Sequence, residues 1–135
     1  MSAGAEGGCT CGQVRYRLLD DPIVVHCCHC RWCQRESGSA FALNAVIEAD
    51  RVELIGESAP ERIDTPSLKA DFIRVGTLDD PDICPPDVHV FTESKQPWVM
   101  LSESAERFEQ FYSGKDVTRI YGENGAARWR ILRGR

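Results

Sequence analysis

No run of apolar residues in this 135-residue chain approaches the roughly 20 that a helix needs to cross a bilayer. The opening residues, Met1-Ser2-Ala3-Gly4-Ala5-Glu6-Gly7-Gly8, have neither the basic nor the apolar region of a signal peptide. A cytoplasmic location is therefore expected. An excess of positive charge is also missing: the net charge is −5, which argues against general affinity for nucleic acid or an anionic membrane. There is no internal repeat and no break in composition that would split the chain. One domain large enough to bury a core is expected.

Cysteine is abundant, with seven residues, and six of the eight positions from His26 to Cys33 can bind a soft metal. In a reducing cytoplasm, clustered cysteines point to metal binding or catalysis rather than disulfides. An odd count also fits poorly with a fully paired disulfide framework. The other uneven feature is charge. From Arg119 onward there are five arginines (119, 128, 130, 133 and 135) and a single acid, Glu123.

Hydrophobic alternation predicts short strands. Val14, Tyr16 and Leu18 share one face, and Ile23-Val24-Val25 begins a strand that runs into the cysteines. Arg31 to Ser37 reads as a short helical turn ended by Gly38. Further strands are predicted at Phe41–Ile47, Val52–Leu54, Phe72–Val75 and Val88–Phe91, with a loop from Gly56 to Ala70. Ser102 to Tyr112 is expected to form a short helix with Phe108, Phe111 and Tyr112 on its apolar side. The ending, around Glu123-Asn124-Gly125, resembles a hairpin. These readings give an all-β fold of short antiparallel strands with little helix, a sandwich or partly open barrel. Residues 5–115 form the domain, and 116–135 a basic extension packed on it as a hairpin.

The strongest chemical signal is Cys28-x-Cys30-x-x-Cys33. A Cys-x-x-Cys pair on a tight turn can aim both sulfurs at one cation, and Cys28 adds a third from the preceding strand. Buried apolar cysteines are the plain alternative. Side chains alternate along a strand, so His29 should face away from Cys28 and Cys30, whereas His26 has the parity to face them. For His26, a hydrogen-bonded or partly exposed strand residue is the simpler reading, and Cys27 reads as a spectator. Cys9-x-Cys11 is a second, weaker pair that needs partners from elsewhere. Cys84, beside Pro85-Pro86, has no partner at knuckle spacing.

Together these residues match a family. Gly8-Cys9-Thr10-Cys11-Gly12, then Cys28-His29-Cys30-x-x-Cys33-Gln34-Arg35-x-Ser37-Gly38-Ser39-Ala40-Phe41, resembles the glutathione-dependent formaldehyde-activating enzymes. That family includes centromere protein V. The likeness continues through Arg74-Val75-Gly76-Thr77-Leu78-Asp79-Asp80-Pro81, His89-Val90-Phe91 and Ser94-Lys95-Gln96-Pro97-Trp98. The resemblance implies a β-rich zinc fold with two metal sites. One is a structural zinc shared by Cys9, Cys11 and a later Cys-x-x-Cys on a hairpin. The other, held by Cys28, Cys30 and Cys33, is the one considered catalytic.

The chain departs from that pattern where the later pair is expected. Thr65-Pro66-Ser67-Leu68-Lys69-Ala70-Asp71 contains no cysteine. One zinc per chain is the resulting expectation, with Cys9 and Cys11 either empty or lending a fourth ligand to the triple. The implied reaction is addition of a small aldehyde of the formaldehyde class to a thiol such as glutathione, the work of a carbon–sulfur lyase. Arg35, Ser37, Ser39 and Lys95 are candidate partners for the substrate's carboxylates. His89 is a candidate proton shuttle, weighed against an ordinary strand histidine, and no residue is assigned a catalytic role. Trp98 and Phe41 are expected in the core. A non-catalytic zinc scaffold, with the Arg128–Arg135 end as a contact surface, is the alternative.

Overall fold

The computed structural model describes residues 2–64 and 70–134. The chain forms β1 (Glu6–Gly8), β2 (Arg15–Leu18), β3 (Val24–Cys28), α1 (Arg31–Ser37), β4 (Ala42–Ile47), β5 (Val52–Leu54), β6 (Asp71–Arg74), β7 (Val88–Val90) and α2 (Val117–Arg133). The strands make two sheets, ordered β1-β2-β5 and β6-β4-β3-β7. All pairings are antiparallel except β3 with β7, which is parallel. Thr65 to Lys69, most of the segment where the second Cys-x-x-Cys was sought, lies outside the described residues.

The four-stranded sheet is buried on both faces, so β3 has no polar face and every residue in it is buried. On one face Val25, Ala45 and Ile47 pack with Tyr16 and Leu18 of the three-stranded sheet, and with Val75, Leu78 and Cys84. That is sheet-on-sheet packing. On the other face Val24, Cys28, Ala42, Val46, Val88 and Val90 meet Tyr112, Trp129 and Leu132. The sandwich expectation therefore holds for one layer. The sheets do not close into a barrel, and the second layer is a helix.

That helix corrects the hairpin expected at 116–135. The residues buried along α2 include Gly125, Ala126, Arg128, Trp129 and Leu132, a spacing of three to four that marks one face of a helix. The Asn124-Gly125 pair read as a turn. Gly125 instead sits against β3's lead-in, where an added Cβ would come 2.9 Å from the Ile23 carbonyl oxygen. The real break is Gly122, whose φ of 76° kinks the helix. Upstream, Ser113 and Asp116 form a capping box.

The helix expected at Ser102–Tyr112 is also absent. This segment runs beside β7: His89 N–H donates to the Glu106 carbonyl (2.9 Å), and Phe108 N–H donates back to His89 (3.0 Å). Exposed β7 backbone offers a ladder that satisfies these groups, and the spacing of Phe108, Phe111 and Tyr112 cannot compete with it. Trp98 is 69% exposed, so it is not a core residue, whereas Phe41 is half-buried. Among the described residues, no helix is long and apolar enough to cross a membrane.

One charged contact fastens α2 to the sheets. Arg128 Nε and Nη2 donate to the Glu48 carboxylate at 2.9 and 2.8 Å, and both side chains are buried. Arg51 Nε also reaches Glu48, at 3.1 Å. Removing Arg128 would leave a buried carboxylate with only a half-exposed partner. Arg128→Met should cost about 2–4 kcal/mol in urea unfolding, whereas Arg51→Met should cost less than about 1 kcal/mol. An Arg128→Met protein as stable as wild type would contradict this anchoring role.

Candidate metal centre

The three cysteines meet where β3 ends. Cys28 is the last residue of β3, paired with Ala42 and Val90 on its two neighbours. Cys30 caps α1: its backbone is extended (φ −66°, ψ 156°), and its sulfur accepts the Cys33 N–H at 3.3 Å. Cys33 lies in the first turn of the helix, so a strand, a cap and a helix each deliver one thiol. Gly38 ends α1 in the left-handed conformation (φ 65°), as a helix terminus favours.

The Cys28 and Cys30 sulfurs are 3.4 Å apart, and all three lie within 4.8 Å of one another. Tetrahedral zinc with bonds of about 2.3 Å holds sulfurs about 3.8 Å apart, so the cluster closes on such an ion with little adjustment. The Cys28 thiol is lowered to about 6, chiefly by a hydrogen bond from Cys33, then by bonds from Cys30 and the Arg74 charge, against burial. The same bond, with burial and the neighbouring thiolate charge, pushes Cys33 up. The two shifts run in opposite directions across one shared hydrogen bond, which favours the thiolate at Cys28 and leaves the proton with Cys33. Three soft donors so placed could hold a metal ion.

Gln34 fixes the helix to its surroundings. Its amide donates to the His29 carbonyl (2.7 Å) and the Ser94 carbonyl (3.0 Å), and its oxygen accepts from Arg31 (2.9 Å) and Gln96 (3.1 Å). This ties the end of β3 to the 94–96 turn through α1.

The other predicted site residues are dispersed. Cys9 and Cys11 are exposed on the turn between β1 and β2, outside the group of converging sulfurs. The Ser37 hydroxyl donates to the Cys33 carbonyl at 2.8 Å and is approached by Ser39 N–H at 3.3 Å, so both residues close the end of α1. Lys95 Nζ donates to the Val99 carbonyl at 2.8 Å within its own loop. Arg35 is exposed on α1. None of these four lines either of two open clefts. The larger, about 850 Å³, is bordered instead by Cys9, Trp32, Glu36, Arg62 and Arg74. Arg74 sits in the quoted Arg74-Val75-Gly76 run, but nothing in that run marks a guanidinium that also acts on Cys28.

Alternation along β3 settles the histidines. His26, on the Cys28 face, is buried with its ring nitrogen 2.6 Å from the Tyr112 hydroxyl, and burial lowers it to about 4. Cys27 and His29 take the opposite face. There the Cys27 sulfur is 3.5 Å from His29 Nε2, which is 3.0 Å from His89 Nδ1. Cys27, His29 and His89 thus form a second meeting of metal-binding side chains. Its only sequence signal is that 27 and 29 share parity, since the β3–β7 pairing that brings in His89 is a long-range contact.

The fold and its sulfur cluster define a two-sheet β protein with a cysteine-rich centre that could hold a metal ion. Residues 4–69, just under half of the chain, match the sequence model of the glutathione-dependent formaldehyde-activating enzyme. No curated protein matches the chain. The match contains Cys9, Cys11 and the whole triple. The likeness at His89 and at Ser94 to Trp98 lies beyond it.

Titration of the metal-free, reduced protein checks the electrostatics. One thiolate should appear in the ultraviolet absorbance with a midpoint near pH 6, and Cys28→Ser should abolish that step. Absence of any thiolate below pH 8 would contradict this placing of the thiolate at Cys28.

Proposed function

We propose that this protein is a zinc-dependent carbon–sulfur lyase-type enzyme that joins a small aldehyde of the formaldehyde class to a thiol such as glutathione, or reverses that addition. The observation that carries this reading is the convergence of three sulfurs with no fourth acidic, histidine or cysteine ligand in their group among the described residues. Three protein ligands and an open position are the pattern of a catalytic rather than a structural zinc. The family match supports the choice of aldehyde and thiol. When bound, the cation would polarise a carbonyl or stabilise a thiolate.

In the addition, a carbon–sulfur bond forms as the carbonyl π electrons move to oxygen. The proton lost by the thiol ends on that oxygen, giving a hydroxymethyl thioether. The chain's own contribution is to hold the cation with Cys28, Cys30 and Cys33 and to bind the thiol's charged ends. Arg62 and Arg74 border the large cleft and suit carboxylates, and Trp32 offers it an aromatic wall. Arg35 and Lys95 are further carboxylate partners in this proposal, on segments joined through Gln34, with Ser37 and Ser39 at the end of α1. A site of this kind needs its thiols reduced, as a cytoplasmic setting keeps them.

The scaffold alternative relied on a basic C-terminal surface. Arg128 is buried on Glu48, and Arg119 pairs with Glu106 and Asp116, so that surface is less cationic than the sequence suggests. The two readings differ in one assay. Zinc-loaded protein should speed the loss of formaldehyde plus glutathione above the spontaneous rate. Cys30→Ser should return it to background, and Arg74→Ala should raise KM for glutathione about tenfold or more. Zinc-loaded wild type with no acceleration would favour the scaffold.

A further inference from the structure

We infer that Cys27, His29 and His89 form a second metal site, back to back with the cysteine triple across the sheet, that takes a zinc-class divalent cation. The inference does not rest on the proposed reaction. It raises the expected metal content from one ion to two, without using Cys9 or Cys11.

The placement follows from register. Cys27 and His29 are two apart on β3 and its continuation, so both project from the face opposite Cys28. Parallel pairing sets Cys27 directly beside His89 on β7. The three ligand atoms lie within 4.8 Å of one another. Zinc bonds of about 2.3 Å to sulfur and 2.0–2.1 Å to nitrogen, at tetrahedral angles, put S and N about 3.5 Å apart and two nitrogens about 3.3 Å apart. The distances here, 3.5 Å and 3.0 Å, are close to both.

Hydrogen bonding alone accounts poorly for this arrangement. His29 is completely buried, and its Nδ1 is the one buried side-chain nitrogen or oxygen without a partner among the described residues. At Nε2 a thiol is a weak partner and a neighbouring imidazole a modest one, whereas a cation is a strong one. Metal binding must displace the Cys27 thiol proton, and the resulting thiolate offsets part of the ion's charge. His89 also borders a cleft of about 440 Å³ with Met100, Ser102 and Glu106.

Elemental analysis and cobalt spectroscopy test the site. The full chain, stripped of metal under reducing conditions, is loaded with Zn2+ or Co2+ alone. Wild type should bind two equivalents. Cys27→Ala and His89→Gln should each bind one, or lose affinity for the second about tenfold or more. In a Cys9→Ser/Cys11→Ser/Cys30→Ser/Cys33→Ser background, one Co2+ should remain with a single thiolate charge-transfer band, and Cys27→Ala should remove that band. Circular dichroism of each metal-free variant confirms that it is folded, and the two single variants carry the test if the quadruple one is not. A wild type that binds one equivalent would overturn the inference. So would a second equivalent that survives both Cys27→Ala and His89→Gln.

Discussion

The pleat of β3 sends alternate side chains of Val24–Cys28 to opposite faces of a sheet that is covered on both sides. Val25 goes to the sandwich layer, while Val24 and Cys28 go to the helical layer. Burial on both faces fixes the register, because a slip of one residue would exchange every side chain between layers. The chemistry inherits this constraint. Even-numbered Cys28 is held against α1, and odd-numbered Cys27 and His29 are held against His89. A strand that could slide would present neither set.

What β3 positions, α1 completes. Cys30 is both the cap of the helix and a member of the cluster, so the conformation that starts the helix also aims the sulfur. Gln34 then binds the helix to the end of β3 and to the 94–96 turn. The triple is thus assembled from 28 to 33 alone and draws no ligand from the segment where the family pattern places a second Cys-x-x-Cys. Cys9 and Cys11 lack that independence, since they sit on an exposed turn whose partners are not in the sequence.

The residues that were legible in the sequence are those whose contacts are local. The alternation at Val14 to Leu18, the helix from Arg31 ended by Gly38, and the spacing of the triple all concern neighbours within a few positions. The misread segments depend on partners far away. Ser102–Tyr112 has a helix-like spacing of aromatics but is captured by the edge of β7. The C-terminal segment was read from Asn124-Gly125 as a turn, although its buried positions follow a helical period and a Ser113–Asp116 box precedes it. Arg74 and His89 enter their sites through strand pairing, which no local pattern encodes. Trp98, placed in the core by its apolar character, is exposed because its loop is held by polar contacts such as Lys95 to Val99.

The central claim is that the Cys28–Cys30–Cys33 site offers three sulfurs and leaves one position open. X-ray absorption at the zinc edge tests it most directly, on Cys27→Ala protein carrying a single equivalent of zinc. Three sulfur neighbours at about 2.3 Å and one oxygen or nitrogen at about 2.0–2.2 Å are predicted. Four sulfurs, with one lost in Cys9→Ser or Cys11→Ser, would show a closed site and contradict the account.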